Sequence, residues 1–208
     1  MASTKINPTW LGQPALNKRD AILASAQYIF SEHGFRQSEV QVISNQTGIS
    51  KATIYKLFGS KDNLLLEMVK ELFNHLGMLA LQEVASPEPA LQRLMAIARA
   101  FLRFGEENRE LCLLILRDGG HCLSEIGPSY QSRMAQFLPA VEPLFAAARK
   151  DGALGNVATD VIIDAILSCL LGHFQTWLML YNAQGSLIEK GMRDVHFLIQ
   201  GFAAQTPH

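Results

Sequence analysis

Apolar side chains recur at helical intervals along almost the whole chain. Between residues 17 and 33 they form a single stripe, which contains Ile22, Leu23, Ala26, Ile29 and Phe30. No window of the sequence shows the strict alternation of a half-buried strand, and no internal repeat is visible. The pattern therefore predicts an all-α fold, in which the first helix supports two short helices that follow it.

The same spacing predicts six further helices downstream of residue 60. Ser60 is the predicted cap of a helix that runs from Lys61 towards Leu81 and connects an N-terminal head to a larger body. The others are predicted at about 87–104, 107–117, 128–150, 159–182 and 186–202. Gly105 is expected to break the first of these five. Two prolines, at positions 139 and 143, are expected to kink the third or to divide it in two.

The stretch Val40–Phe58 predicts two short helices joined by a tight turn at Gly48. Ser38 and Gln41 are spaced as in a capping box, which predicts that the first helix starts at Glu39. Two short helices in this arrangement are typical of a helix-turn-helix motif that binds DNA, because the second helix fits the major groove.

The second of these helices is predicted to have a polar outer face. Ser50 can cap it, and Ile49 can pack on Ile54 and fix the angle at which the chain enters the helix. The inner positions are Ile54, Leu57 and Phe58. The outer positions are Lys51, Ala52, Thr53, Tyr55 and Lys56. Two cations, two hydroxyls and one small residue suit contact with phosphates and base edges.

The charge of the chain is distributed unevenly. Its 208 residues are 49% hydrophobic and 18% charged, with a formal net charge of −1. Residues 1–60 carry a net charge of +3, whereas residues 61–208 carry −4. A basic head and an acidic body are compatible with a protein whose head alone binds nucleic acid.

Cysteine usage and the N-terminus favour a cytoplasmic protein. The three cysteines show no CxxC spacing, which argues against a disulfide framework or a zinc finger. The first twenty residues lack the apolar core of a signal peptide. Val161–Tyr181 is apolar enough to raise the question of a membrane span, but Asp164 and His173 interrupt it. A packing helix and no membrane contact are expected.

The last two predicted helices are the expected surface of a homodimer. The penultimate helix is apolar nearly all round, which requires burial on more than one side. Ser168 and Gly172, one turn apart, would let another helix come close. Burial inside a single subunit is the alternative interpretation.

Four strings follow one another between Arg19 and Met68, namely AILASAQYIFSEHGF, TGIS, KATIYKLF and GSKDNLLLEM. They resemble the N-terminal DNA-binding domain of the tetracycline-repressor (TetR) family of bacterial transcriptional regulators. The resemblance implies an all-helical homodimer whose two heads bind a palindromic double-stranded DNA operator. It also implies a C-terminal domain with a small-molecule pocket and a dimer interface formed by the last two helices. Beyond about residue 70 only the length and the helix pattern are similar.

The predicted DNA interface comprises nine residues, which are Ser38, Gln41, Ser50, Lys51, Ala52, Thr53, Tyr55, Lys56 and Lys61. The resemblance implies that residues 51–53 approach bases and that Tyr55 and Lys56 hold the DNA backbone. It also implies that Ser38 and Lys61 reach phosphates. Glu39 and Val42 depart from the family, which usually has a second hydroxyl residue at the first position and commonly a polar residue at the other. The operator preference is therefore expected to depart from that of the family.

Candidate effector-binding residues are aromatic and polar side chains on helices that otherwise need only aliphatic ones. They are Phe104, Arg117, His121, Tyr130, Met134, Phe137, His173, Phe174 and Trp177. Each has an ordinary alternative as a core residue, and Arg117 has one as a surface partner of Glu110 or Asp118. The expected effector is a mostly apolar or aromatic small molecule.

No catalytic, metal or redox site is expected. His173 lies off the helix face shared by Ser168 and Asp164, so these residues do not form a triad. His121 beside Cys122 is a tight but isolated pair of possible metal ligands. A redox switch that uses the thiols at positions 112 and 122 is a further alternative, although thiols in apolar helices are usually inert.

The sequence thus predicts a ligand-responsive transcriptional repressor without a cofactor. It is divided into a flexible arm over 1–16, a helix-turn-helix domain over 17–60, and an effector-binding and dimerisation domain over 61–208. Two other classes stay open: a DNA-binding protein without an effector, and an all-helical enzyme with an accessory DNA-binding head.

Overall fold

The computed structural model describes residues 9–10, 13–118, 120 and 123–203. These ranges are almost entirely helical, which confirms the all-α prediction. One short antiparallel ladder is present, in which β1 (Thr9–Trp10) pairs with β2 (Gln13–Pro14). The ladder falls within the segment predicted to be a flexible arm, and β1 lies beside the first helix.

Nine helices occupy the described ranges. They are α1 (Lys18–His33), α2 (Val40–Thr47), α3 (Lys51–Phe58), α4 (Lys61–Val84), α5 (Ala90–Glu107), α6 (Arg109–Asp118), α7 (Leu123–Lys150), α8 (Thr159–Met179) and α9 (Leu187–Ala203). By contacts, the chain divides into two compact units. The first comprises Met1–Phe73 with Glu110–Ser129, and the second comprises Asn74–Arg109 with Tyr130–His208.

The core of the first unit is built on α1. Its predicted apolar stripe is buried, together with Ile43 of α2, Ile54 of α3 and Leu64 of α4. Arg19 ties α1 to α4, because its guanidinium donates to Glu67 at 2.7 Å and to Glu71 at 2.8 Å. The unit therefore holds two short helices, α2 and α3, against two longer ones.

In the second unit α5 packs against both α8 and α9. The predicted break at Gly105 is wrong, since α5 continues through this residue to Glu107. The glycine has a packing role instead: a Cβ placed on it would lie 2.1 Å from Cε2 of Phe174. Gly191 of α9 has the same role, because its Cβ would lie 2.7 Å from a methyl carbon of Leu102.

Of the two outcomes predicted for the segment 128–150, a division in two is wrong, because α7 is a single helix over Leu123–Lys150, and a kink within this helix stays a prediction. Proline removes one helical hydrogen bond and leaves the carbonyl four residues earlier without its donor. Pro139 and Pro143 are exposed, and so is Ala135, which precedes Pro139 by four residues. Water can reach this side of α7 and replace the missing donors, so the helix tolerates both prolines.

Helix α8 is long and apolar enough by composition to cross a membrane, with a mean hydropathy of 1.5 over its most apolar window. Helices that pack in soluble proteins meet the same criterion. Only 28% of that window is buried, because α8 covers one face with α5 and α9 and exposes the opposite face.

Candidate nucleic-acid interface and effector site

The turn between α2 and α3 and the start of α3 are formed by short-range hydrogen bonds. Gly48 ends α2 in the left-handed conformation, with φ of 70°, which a residue with a side chain adopts only at a cost. Ser50 then caps α3, since its hydroxyl oxygen accepts a hydrogen bond from the backbone N–H of Thr53 at 3.2 Å. The predicted cap at Ser50 is confirmed.

Helix α3 rests on the core through two residues one turn apart, Ile54 and Phe58, which are both buried as predicted. Leu57 was predicted to lie inside but is 49% exposed. The reason is geometric: a helix of eight residues that is anchored through one narrow stripe leaves its flanks in solvent. The outer face carries the exposed residues Lys51, Ala52, Tyr55 and Lys56 next to the half-buried Thr53.

Within the described ranges, no carboxylate neutralises the positive charges of this face. Neither Lys51 nor Lys56 forms an ion pair within the part of the chain that the structure describes. Gln41 of α2 is exposed as well and donates to Asn45 at 2.8 Å. Two unpaired cations and two polar side chains form a surface that can bind phosphates and base edges.

Ser38 does not cap α2, so the predicted capping box is wrong. Helix α2 begins at Val40, and its N-cap residue is Glu39, whose side chain makes no capping hydrogen bond. Ser38 is only 5% exposed, and its hydroxyl donates at 2.7 Å to the carbonyl of Gly34 at the end of α1. A serine has one hydroxyl proton, and here the preceding helix end binds it. The structure thus buries Ser38 inside the unit, where its carbonyl accepts a hydrogen bond from Lys61.

Lys61 lies at the start of α4, where its ammonium is surrounded by backbone carbonyls. Nζ donates to the carbonyl of Phe35 at 2.9 Å, to that of Ser38 at 3.1 Å and to that of Arg36 at 3.4 Å. It also lies 4.5 Å from the centroid of the Phe35 ring. The ammonium that was predicted to bind a phosphate is therefore bound by backbone carbonyls of the loop between α1 and α2.

Among the effector candidates, the second unit brings together Phe104, Phe174 and Trp177. The Phe174 and Trp177 rings are 6.2 Å apart, and Phe174 contacts α5 at the glycine next to Phe104. His75 of α4, which was not among the predicted residues, lies with its ring 5.2 Å from that of Phe104. Burial lowers the pKa of His75 and favours the neutral imidazole. The sequence feature that could have identified His75 was a histidine among the leucines of an apolar helix.

His173 has a hydrogen-bond partner within the protein. This agrees with its alternative interpretation as a core residue. Its Nε2 lies 2.8 Å from a carboxylate oxygen of Asp194 on α9. The hydrogen bond from Arg193 is the main cause that lowers the pKa of Asp194, and His173 adds to it. This cluster joins α8 to α9 and leaves the Nε2 atom of His173 engaged.

The remaining candidates are dispersed. Tyr130, Met134 and Phe137 are half-buried on α7, and burial, with a smaller effect of Asp164, raises the pKa of Tyr130. Arg117 belongs to the first unit, where it pairs with Asp118 at 2.8 Å. His121 and Cys122 lie outside the described residues. No group of three or more potential metal ligands occurs among the residues that the structure describes.

A groove of about 510 Å³ that the sequence did not predict lies between α5 and α9 in the second unit. Its lining residues are Leu91, Gln92, Met95, Ala96, Arg99, Ala153, His196, Ile199, Gln200 and Ala203. Six of these ten residues are apolar, and such side chains carry no signal that distinguishes them from a core. The groove has the size of a small-molecule site but contains none of the predicted effector residues.

Exposed apolar side chains occur on both α8 and α9. Leu171 is 65% and Phe197 is 63% exposed, and Val161 and Met179 of α8 are exposed as well. Gly172 is open as well, because a Cβ placed on it would meet nothing within 4 Å. Apolar side chains and a bare backbone together form an uncovered surface suited to another helix.

Comparisons with known proteins agree with this geometry. The family model for bacterial regulatory proteins of the tetR family matches residues 22–68. The chain is 23% identical to the nucleoid occlusion factor SlmA of Pasteurella multocida over 77% of its own length and 82% of that protein. It is 37% identical to the transcriptional repressor AcnR of Corynebacterium glutamicum over 60 residues, which are 29% of this chain and 32% of that one.

Solved structures share the fold. The regulator FadR of Bacillus subtilis in complex with stearoyl-CoA matches with a TM-score of 0.72 at 17% identity. The match covers 87% of this chain and 97% of FadR.

Proposed function

From the match of residues 22–68 to the tetR family model, we propose that this chain is a ligand-responsive repressor of transcription of the TetR family. In this proposal a dimer in the cytoplasm binds a palindromic operator and leaves it when a small molecule binds. The observation that carries the proposal is the outer face of α3, where Lys51, Tyr55 and Lys56 are exposed and the two lysines lack a partner in the described chain.

The proposed contacts follow from the positions of these side chains. An α-helix fits the major groove, and the exposed alanine at position 52 allows its backbone to come close to the base edges. Lys51 and Lys56 then bind phosphates, and the Tyr55 hydroxyl donates to one. Two such helices must stand about 34 Å apart to bind successive turns of DNA.

The test is footprinting on the DNA that flanks the gene, followed by affinity measurements on the protected site. We expect Tyr55→Ala and Lys56→Ala to weaken binding by about tenfold each, because each removes one contact with DNA. Tyr28→Ala is the matched control, because Tyr28 is a similarly exposed tyrosine of the same unit on α1. Binding that neither α3 substitution changes would exclude α3 as the recognition helix.

The homodimer is proposed to form through the uncovered face of α8 and α9. The exposed side chains of Leu171 and Phe197 would be buried there, and the open backbone at Gly172 would admit the partner helix. Burial of this face would also account for the apolar composition of α8.

The effector is proposed to bind in the second unit beside the aromatic side chains of Phe104, Phe174 and Trp177. Aromatic walls with a few polar groups are typical of small-molecule sites, and the neutral His75 can exchange a hydrogen bond with a ligand. A coupling of about 1–3 kcal/mol between effector and operator would change operator affinity by about 5–150-fold.

A ligand screen by thermal shift, followed by an operator-release assay, tests the effector site. The panel includes apolar and aromatic compounds and stearoyl-CoA, the ligand in the complex with FadR. We expect Phe174→Ala to abolish both the thermal shift and the release. Ala96→Trp, which fills the groove between α5 and α9, should leave both unchanged. The reverse result would place the effector in the groove.

A second candidate function is DNA binding without an effector. It is supported by the similarity over 77% of the chain to a protein named as a nucleoid occlusion factor instead of a repressor. A ligand that stabilises the protein and changes its operator affinity would exclude this candidate.

A further inference from the structure

The ammonium of Lys61 uses every hydrogen-bond donor that it has. A lysine ammonium carries three N–H groups. Three carbonyls, those of residues 35, 36 and 38, lie within 3.4 Å of Nζ, and the Phe35 ring covers a further side of the cation. A phosphate would have to displace at least one of these carbonyls to be bound.

The position of Lys61 in α4 supports the same conclusion. Lys61 is the first residue of the helix, where the backbone N–H groups carry a partial positive charge and a cation is unfavourable. Three carbonyl dipoles compensate the charge at this place. The carbonyls of Phe35 and Ser38 belong to residues that are themselves buried, so the acceptors are held in place before the lysine binds them.

The hydrogen bonds of Lys61 join the two ends of the helix-turn-helix. Residues 35–38 lie between α1 and α2, and Lys61 follows the end of α3 by three positions. The segment is also fastened from the other side, because Ser38 donates to Gly34 and the Phe35 ring packs edge-on against Phe30 at 5.1 Å. Lys61 thus closes a loop that contains all of α2 and α3.

We propose that Lys61 is a positioning residue that sets the location of α2 and α3 for operator recognition, and that it is not a phosphate ligand. This inference rests on the proposed function for its consequence in DNA binding. Its structural part, the closure of the loop between α1 and α2, does not depend on DNA.

The test compares Lys61→Met with Lys56→Met, first on the operator and then on unrelated DNA of the same length. Methionine preserves the length of the side chain and removes only the ammonium. We expect Lys61→Met to lower operator affinity by about tenfold, the effect of one mismatched base pair, and to leave the affinity for unrelated DNA unchanged. Lys56→Met should weaken both, because a phosphate contact is independent of sequence.

The dependence of affinity on salt provides an independent measurement. The slope of log K against log [salt] should be unchanged in Lys61→Met. In Lys56→Met, which can no longer bind its phosphate, the slope should become shallower by about 0.9 for each phosphate released. Lys61→Arg should not retain the operator affinity of the wild type. The N–H donors of a guanidinium lie in one plane and cannot converge on three carbonyls as the donors of one ammonium do. A reduced salt slope in Lys61→Met, or full recovery in Lys61→Arg, would overturn the proposal.

Amide hydrogen exchange of the free protein separates this inference from the proposed function. Lys61→Met should speed exchange at residues 38–44 relative to α1, whereas exchange that is unchanged at these residues would refute the closure. If no operator is bound by the wild type, the proposed function fails while the exchange measurement still tests the role of Lys61. Far-UV circular dichroism verifies that each variant is folded at the temperature of measurement.

Discussion

At the scale of single residues, two glycines of the second unit set how closely its helices pack. Gly105 gives room to the ring of Phe174, and Gly191 gives room to Leu102. Both lie inside helices, where glycine is less favourable than alanine by about 1 kcal/mol. The close contacts explain why alanine would not be an improvement at these positions.

We expect Gly105→Ala to destabilise the protein by about 1–3 kcal/mol, because the new methyl group overlaps the Phe174 ring. The free energy of unfolding in urea measures the effect. Gly77→Ala is the matched control: Gly77 also lies within a helix, but its Cβ would meet nothing within 4 Å, so alanine should stabilise there. Equal effects of the two substitutions would contradict the packing role of Gly105.

A second prediction at this scale concerns Cys112. Burial raises the pKa of its thiol from an ordinary value of 9.0 to about 12, so the folded state retains the thiol proton at a pH where the unfolded state loses it. The retained thiol proton makes a contribution to the free energy of unfolding. That contribution is complete below pH 9 and is lost as the pH rises from 9 towards 12. Between pH 9 and 10 the free energy of unfolding of the wild type should fall more steeply than that of Cys112→Ala, by up to about 1.4 kcal/mol per pH unit. Parallel curves would show that the thiol is accessible.

At the scale of elements, α2 and α3 differ in how they begin. Ser50 caps α3, whereas Glu39 stands at the N-cap of α2 without a capping hydrogen bond. Serine is among the preferred N-cap residues, and glutamate is not. Helix α2 is therefore the less stable of the two, and it depends more on the buried side chains of Val40 and Ile43.

Glu39→Ser should therefore supply the missing cap and stabilise the protein by about 0.5–1 kcal/mol. It also removes a negative charge next to the proposed DNA surface, so operator affinity should rise, most clearly at low salt. Thermal unfolding and operator titration measure the two effects. Ser50→Ala is the opposite control and should destabilise by about 1 kcal/mol. A Glu39→Ser protein with lower thermal stability would contradict the geometry of the cap.

At the scale of the whole molecule, α8 and α9 carry large apolar side chains in solvent. Leu171 and Phe197 are each more than half exposed, on two helices that pack against α5 through another face. An apolar surface of this kind on a soluble protein usually marks an interface. The affinity for an operator with two half-sites would then depend on the stability of the dimer.

We expect Leu171→Asp and Phe197→Asp each to shift the protein from dimer to monomer at micromolar concentration, because each would bury an unpaired charge in the interface. Sedimentation equilibrium gives the mass. Met78→Asp is the control, since Met78 is an exposed apolar residue on α4 and belongs to neither α8 nor α9. The folded monomers should lose operator affinity, and a wild-type protein that is monomeric at these concentrations would refute the interface.

The sequence alone determined features that depend on neighbouring residues. Helical periodicity predicted the all-α fold, and the hydroxyls of Ser50 and Ser60 correctly predicted the starts of α3 and α4. The turn at Gly48 belongs to the same group, because its conformation is a property of the glycine itself. These signals act within one or two helical turns, so they can be recognised before the chain is folded.

The tertiary structure decided what depends on residues far apart in the chain. Gly105 lies inside a helix, and Phe174, sixty-nine positions later, occupies the space that a side chain at this position would need. Ser38 caps no helix because the end of α1 binds its hydroxyl, and Lys61 is bound by carbonyls that precede it by more than twenty residues. No rule of residue spacing predicts such contacts, because several groups compete for the same partner or the same space, and only the folded chain determines which of them is bound or buried.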